Sequence, residues 1–475
     1  MSTTLRALIV EIDGASPEIL GPLFDRDALP VLSALVETGA SGPLRSQIPL
    51  HGTSTWTSLH TGTNPGKHGV FGPFVYEGYD WRRIDVTAPQ EPALWEILAY
   101  HGLSSVVVNV PFATGGESVS IVPAPCPRTP SVGDELSTVR ESIGEYRLVP
   151  DPETDDERTL VGQRAAAFAH LLDRDRPDVG IVRFESGGRS DPDRETVYRA
   201  IDSELGRLLE RVDADLVVVT SAYGLAPDCG HEVRVNEFLH RRGYLESGPC
   251  RGRPTTPAES ECVTGPISSP IERVIDGTRR VLPRGLLRGG ARSVDFASST
   301  AYLRSSAEYG LRVNRRGREP GGVVGENGYE GVRSELIETL RDLTAPNGDP
   351  AFADVIRREA YLWGPAVDDA PDVVAVPNDG ISLSATLGGQ VFAEGGETPC
   401  RTPIGYLAVA GPEIESRTLS GAHLFDVAPT VLAALSLPLS DRMDGAPLPV
   451  APRTNRMSYP QPVADAALET DGGRR

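Results

Sequence analysis

The stretch "ETVYRAIDSELGRLLERV", Glu195 to Val212, is followed two residues later by "DLVVVTS", Asp215 to Ser221. The first stretch has apolar residues at helical spacing, and the second is a short apolar run rich in valine. The pattern predicts a helix that leads directly into a buried strand. A strand buried on both faces is typical of a parallel sheet covered by helices.

The same succession occurs twice earlier in the chain. The helical pattern of Arg164 to Arg174 precedes the apolar run Asp178 to Glu185, and the pattern of Pro92 to Gly102 precedes Ser104 to Pro111. "ALIVEID", Ala7 to Asp13, is a further strand of the buried type. We therefore predict an α/β fold with a mostly parallel central sheet, helices on both faces and a smaller inserted unit.

Ligand sites in such sheets lie at the carboxyl ends of the strands. Three of the predicted strands end at Asp13, Glu185 and Ser221. We expect the functional site in their neighbourhood.

The composition limits the classes of partner. The 475 residues include 66 acidic and 46 basic side chains, a net charge of −20, and Lys67 is the only lysine. Acidity with arginine as the basic residue indicates adaptation to high salt, although GC-rich codons would also replace lysine. Nucleic acid is disfavoured as a partner because phosphate contacts need basic patches.

The sequence has no apolar run of the roughly 20 residues that span a membrane and no secretory signal pattern, so we expect a cytoplasmic location.

The cysteines are odd in number and scattered, and none forms a C-x-x-C pair. This spacing favours neither a zinc ribbon nor a disulfide framework. The five residues are Cys126, Cys229, Cys250, Cys262 and Cys400.

The chain divides by composition. Residues 1–245 and 344–450 are predicted to form the α/β core, and residues 246–343 are predicted to form an insertion. The first part of this insertion, 246–294, is rich in Pro, Gly, Ser, Thr and Arg, and we expect it to be irregular or flexible. Residues 451–475 are expected to form a disordered tail.

Six segments, in order along the chain, resemble the alkaline phosphatase superfamily in its type I phosphodiesterase/nucleotide pyrophosphatase-like branch. They are "VEIDGASPEIL", "TWTSLHTGTNPGKHGVFG", "LWEILAYHGLSSVVVNVP", "VNEFLHRRGYL", "TAYLR…LRVNRRGREPGGVV" and "LFDVAPTVLAALSLPLSDRMDG". The resemblance implies the alkaline phosphatase-like fold. It also implies a site in which two zinc-like ions, held by Asp and His, activate a Thr or Ser nucleophile.

Only the first of the implied ligands is present. Asp13 matches a metal ligand of the family, but the nucleophile position falls on Gly52. Thr53 is the candidate for a displaced nucleophile, although a shift of one residue turns a helical side chain by about 100°. The simpler interpretation is that Thr53 or Ser54 caps the helix.

The remaining ligand motifs of the resemblance are altered together. No histidine lies between His170 and His231, where an Asp-x-x-x-His motif is implied. The implied Ser-Asp-His-Gly motif has Ala222 and Tyr223 in place of its Asp and His, and Arg401 falls near the last implied histidine. One carboxylate does not hold two divalent ions, so we expect no metal cofactor.

The sequence also offers candidates for two other kinds of site. The first is a metal-free pocket for an anion, which would be formed by Arg183, Arg189 and Arg401 together with His51 beside the implied nucleophile position. Alternatively, these arginines form ion pairs with acidic side chains of the protein. The loop "APDCGHE" offers a weaker metal site. Its candidate ligands are Asp228, Cys229, His231 and Glu232.

Three functions follow. The first is a catalytically impaired family member that binds a small phosphorylated or sulfated ligand or a protein partner. The second is an active phosphodiester, phosphomonoester or sulfate ester hydrolase with a rearranged site. The third is a transferase acting on a phosphorylated or lipid-linked substrate.

Overall fold

The computed structural model describes residues 3–125, 133–149, 156–185, 191–226, 229–249, 292–395 and 400–462. The stretch 250–291 and the end of the chain from 463 onward, which include most of the expected irregular segment and part of the expected tail, lie outside the described residues.

The core is an eight-stranded sheet. All of its strands run in one direction except Ile404–Ala410, which is antiparallel to both of its neighbours. This confirms the predicted mostly parallel sheet. In order across the sheet the strands are Arg417–Thr418, Ala40–Arg45, Ile404–Ala410, Val217–Ser221, Ala7–Ile12, Val179–Phe184, Ser105–Val108 and Val119–Val122.

Helices cover both faces of the sheet, as predicted. Along the strand Ala7–Ile12, Leu8 and Val10 enter one hydrophobic cluster while Ala7 and Ile9 enter another, because successive side chains of a strand point to opposite faces. The helices of the first cluster are Pro17–Phe24, Pro30–Thr38, Gly133–Ile143, Glu157–Asp175 and Asp191–Arg211. The helices of the second cluster are Gly52–Thr61, Leu94–Tyr100 and Val427–Ala434, with the single turn Pro65–His68 directly after the first of them.

A second unit has its own hydrophobic cluster, which runs from Val233 to Ala385 and so extends on both sides of the span 246–343. Its described residues form a four-stranded sheet, a three-stranded sheet, a strand pair between the two ends of the predicted irregular segment, and two helices. The four-stranded sheet has the order Ala301–Tyr302, Gly310–Val313, Val373–Pro377 and Phe352–Arg357, and the three-stranded sheet the order Ile381–Ser384, His231–Arg234 and Phe392–Glu394. The strand pair is Glu246–Pro249 with Arg292–Asp295. The helices are Val235–Arg241 and Glu326–Arg341.

Residues 451–462 differ from the expected disordered tail. The strand Arg456–Met457 pairs with Leu439–Ser440. Tyr459 is buried, and its hydroxyl donates to the carbonyl oxygen of Pro438 at 2.8 Å. Burial of an aromatic ring explains why this part of the chain is fixed on the core.

Three further two-stranded pairs complete the described fold: Thr3–Leu5 with Val212–Ala214, Phe74–Glu77 with Asp80–Arg83, and Gly224–Leu225 with Arg401–Thr402. In the described part of the chain, every helix is too short or too polar to cross a membrane.

Candidate functional site

The strands that end at Asp13, Glu185 and Ser221 are direct neighbours in the sheet, so their carboxyl ends meet at one edge. The backbone N–H of Asp13 donates to the carbonyl oxygen of Phe184 at 3.0 Å, which aligns two of these ends. Gly14 then turns the chain at φ +70°, a conformation that glycine adopts without strain. The side chains at this edge form the candidate site.

Asp13 is held by Arg183, from the neighbouring strand. The guanidinium donates from Nε to one carboxylate oxygen at 3.0 Å and from Nη2 to the other at 2.5 Å, and both side chains are largely buried. Arg183 Nη1 also lies 3.8 Å from Glu185 Oε1. Both oxygens of Asp13 are therefore engaged by one bidentate cation.

The electrostatics of this pair follow from its burial. Burial raises the pKa of Asp13, and the charge and hydrogen bonds of Arg183 oppose that rise. Burial disfavours the charged form of Arg183, but the carboxylates of Asp13 and Glu185 outweigh it, so the pKa of Arg183 is raised. The guanidinium stays protonated, and both carboxylate oxygens of Asp13 accept a hydrogen bond from it. The contact is therefore an ion pair at neutral pH.

Arg401 enters the site from the short strand that pairs with Gly224–Leu225. Its guanidinium lies 5.1 Å from the centre of the Tyr223 ring and hydrogen-bonds with the Tyr223 hydroxyl. Burial, and then the charge of Asp13, raises the pKa of Tyr223, so its hydroxyl is neutral at physiological pH. The two residues present a cation and a hydroxyl side by side.

The helix Gly52–Thr61 begins at the same edge. His51 caps it, because its Nδ1 accepts from the Thr53 backbone N–H at 3.3 Å and lies 2.8 Å from the Thr53 hydroxyl oxygen. Burial, assisted by the positive charge of Arg401, lowers the pKa of His51 to about 3, so its imidazole is neutral.

Gly52 faces the site and has room for a side chain. A Cβ built on it would lie 3.8 Å from Trp56 Cδ1 and 3.8 Å from the Tyr223 hydroxyl oxygen, both ordinary contacts. The absence of a hydroxyl at this position is therefore not forced by crowding. Trp56 also packs beside Arg183, whose guanidinium lies 5.5 Å from its ring.

The structure brings together Asp13, His51, Thr53, Arg183 and Arg401. Two other residues that the sequence suggested, Arg189 and Asp228, lie outside the described residues. Their roles stay predictions.

The suggested metal loop is divided by the fold. His231 and Glu232 lie in the strand His231–Arg234 of the second unit, and Glu232 pairs with Arg234 at 3.1 Å. Cys229 is not a free thiol, because it forms a disulfide with Cys400.

The spacing of the cysteines did not indicate this single disulfide. The two cysteines are 171 residues apart in sequence, yet their Cα atoms are 5.2 Å apart. Sequence spacing could not find the pair, because the strand pairing Gly224–Leu225 with Arg401–Thr402 brings the cysteines together.

Two metal ions need more donor side chains than this site offers among the described residues. Both carboxylate oxygens of Asp13 accept hydrogen bonds from Arg183. The neighbouring strand is followed by Ala222 and Tyr223, which stand where the resemblance implies an Asp and a His ligand. Across the described parts of the chain, no three His, Cys, Asp or Glu side chains are grouped so that they could hold a metal ion. The described residues do not fit a two-metal centre, since a zinc site needs three or four protein ligands.

Comparison with known proteins identifies the family. The family model described as type I phosphodiesterase / nucleotide pyrophosphatase matches residues 7–402. No curated protein matches the chain.

Solved structures share the fold at low sequence identity. Phosphonoacetate hydrolase from Sinorhizobium meliloti, in complex with phosphonoformate, has 18% identity and a TM-score of 0.56 over 91% of this chain and 95% of that one. Alkaline phosphatase PafA has 13% identity and a TM-score of 0.55 over 95% and 99%. Human ectonucleotide pyrophosphatase/phosphodiesterase 5 has 13% identity and a TM-score of 0.50 over 95% and 97%. The chain belongs to the type I phosphodiesterase / nucleotide pyrophosphatase family, with an alkaline phosphatase-like fold.

Proposed function

We propose that this protein binds a small phosphate- or sulfate-bearing ligand through arginine and hydroxyl groups, and that it lacks the two-metal hydrolysis implied by its family. The observation that carries the proposal is the bidentate contact of Arg183 with Asp13. A guanidinium occupies both oxygens of the one carboxylate that matches a metal ligand, so this carboxylate is already engaged by a cation of the chain itself.

Arg401 supplies the group that meets the ligand. It is exposed, and within the described ranges no carboxylate forms an ion pair with it, whereas Arg183 is neutralised by Asp13 and Glu185. Guanidinium donors match the oxygens of phosphate and sulfate, and the neutral Tyr223 hydroxyl adds a donor beside them. A structural neighbour was solved with the small phosphonate phosphonoformate, which supports a ligand of this class.

The rival function is hydrolysis with Thr53 as a displaced nucleophile. It is favoured by the 2.8 Å contact between the Thr53 hydroxyl and His51 Nδ1, since a hydroxyl beside a neutral imidazole is the arrangement of an activated nucleophile. However, a pKa of about 3 makes His51 a weak base at neutral pH. The same contact belongs to the helix cap.

Calorimetric titration with inorganic sulfate and phosphate in the presence of EDTA tests the binding proposal. We expect saturable binding, and we expect Arg401→Gln to weaken it by about tenfold or more. Arg242→Gln is the matched control, because Arg242 is an exposed arginine stacked on Phe238 in the second unit. Absence of binding, or binding that EDTA abolishes, would contradict the proposal.

Turnover assays separate the two functions. We expect hydrolysis of generic phosphomonoesters, phosphodiesters and sulfate esters, with zinc supplied, to match the background rate. The rival function predicts metal-dependent turnover that both Thr53→Ala and Asp13→Ala abolish while the fold is retained. Elemental analysis gives an independent check, since about two zinc ions per chain would reveal ligands outside the described residues.

A further inference from the structure

The disulfide lies beside the residue that the proposed function depends on. Cys400 directly precedes Arg401, and Cys229 follows the strand that pairs with Arg401. Both cysteines are buried, with 9% and 6% of their surface exposed. The bond therefore joins the segment that carries Arg401 to the segment that leaves Tyr223.

These two segments continue the longer antiparallel pairing of Val217–Ser221 with Ile404–Ala410, and Arg401 lies at the end of that pairing. Their ladder has two residue pairs, Gly224 with Thr402 and Leu225 with Arg401, extended by one bond from the Ala226 N–H to the Cys400 carbonyl oxygen at 2.8 Å. Only this short end of the ladder reaches Arg401, and the end of a ladder opens more readily than its middle. A covalent link at its end limits how far the segments can separate.

The second unit packs against the Cys229 side of the link. The Gly395 N–H donates to the Gly230 carbonyl oxygen at 3.1 Å, and a Cβ at Gly395 would collide with the Cys229 carbonyl oxygen. Cys229 is thus held by the backbone contacts with Gly395 on one side and by the disulfide on the other. Through the disulfide it fixes Cys400, the neighbour of Arg401.

We infer that the Cys229–Cys400 disulfide is a positioning element for Arg401, so that the affinity of the site for an oxyanion depends on its oxidation state. Reduction by a dithiol transfers two electrons and two protons to the sulfur pair; the S–S bond breaks, two thiols form, and the dithiol becomes a disulfide. The end of the ladder at Arg401 then opens, and the guanidinium leaves its place over Tyr223. This inference rests on the proposed function.

A double-mutant cycle on sulfate affinity tests the inference. We expect the pair Cys229→Ser and Cys400→Ser to weaken sulfate binding by about tenfold in the wild type, and to change it little in an Arg401→Gln background. Cys126→Ser is the control that leaves the bond in place. An equal loss in both backgrounds, or no loss in the wild type, would overturn the inference.

Amide hydrogen exchange makes the test independent of the ligand. On reduction of the wild type by dithiothreitol, or in the double variant, we expect faster exchange at Ala226 and Thr402 and unchanged exchange in the strand Ala7–Ile12. Unchanged exchange at Ala226 and Thr402 would overturn the inference even if the double variant failed to fold. If the oxidised wild type bound no sulfate, the proposed function would fail, while the exchange rates would still decide the role of the disulfide.

Discussion

At the scale of single residues, Gly52 shows that the loss of a hydroxyl is not required by the backbone. It is the first residue of its helix, and a Cβ there meets only ordinary contacts at 3.8 Å. We predict that Gly52→Ala raises the free energy of unfolding by about 0.5–1 kcal/mol, because alanine restricts the unfolded chain. Urea denaturation measures the change.

Gly405→Ala is the opposite control for that prediction. A Cβ at Gly405 would lie 1.9 Å from the carbonyl oxygen of Ser221, so this substitution should destabilise the fold. If both alanine variants were equally destabilised, the space observed at Gly52 would not exist.

His68 gives a pH prediction. It is fully buried; its Nδ1 accepts from the Val70 N–H, so its Nε2 carries the proton donated to the Ser58 hydroxyl oxygen. Burial lowers its pKa from 6.5 to about 3. Between these values the unfolded chain binds the extra proton, so stability falls as pH drops, by about 1.4 kcal/mol per pH unit.

We expect His68→Asn, which retains an acceptor for Val70, to remove this contribution. Urea denaturation of both proteins from pH 4 to pH 7 should give a smaller slope of unfolding free energy against pH for the variant. Parallel curves would show that His68 takes up no proton on unfolding. The carboxylates titrate in both proteins, so their contribution cancels in the comparison.

At the scale of elements, a buried pair ties the central strand to the helix after the old nucleophile position. Glu11 and His60 are 0% and 2% exposed, with His60 Nε2 2.5 Å from Glu11 Oε1. His60 therefore belongs to the core. The pair couples the strand that ends at Asp13 to the helix that begins at Gly52.

Removing one partner leaves the other buried without its hydrogen bond. We predict that Glu11→Met or His60→Leu alone costs about 3–5 kcal/mol, and that the double change costs less than the sum of the two single losses. Urea denaturation of the single and double variants measures the coupling. Additive losses would mean that the two side chains do not interact.

At the scale of the whole molecule, the net charge of −20 predicts a response to salt. Like charges on the surface repel, and the screening length falls to about 3 Å at 1 M salt. We predict that the melting temperature rises as KCl is added into the molar range. A melting temperature that stays constant or falls would remove the high-salt interpretation and leave codon bias as the explanation for the missing lysines.

The disulfide bears on the expected cytoplasmic location, which stays a prediction. Disulfides persist mainly in oxidising compartments and are rare in reducing cytosol. The Cys229–Cys400 bond therefore weighs against that expectation. Labelling of free thiols in protein extracted from its native cells, without reduction, would decide whether the bond is present there.

The class of fold could be predicted from the amino-acid sequence, and the location of the candidate site at the ends of three strands stays a prediction from the same pattern. Helical patterns followed by apolar runs are local signals, whereas only the order of the strands in the sheet shows that those ending at Asp13, Glu185 and Ser221 are neighbours. The sequence also indicated Arg401 and His51, because the resemblance placed them beside altered ligand positions.

The contacts between side chains at the candidate site could be found only in the folded structure. The ion pair of Asp13 with Arg183 joins side chains 170 residues apart, and the disulfide of Cys229 with Cys400 spans 171. Such contacts depend on which strands become neighbours and on where each side chain points, and no local propensity carries that information. For the same physical reason, the sequence could list arginines near the implied ligand positions, but only packing showed that Arg183 pairs with Asp13 while Arg401 lies over the Tyr223 ring.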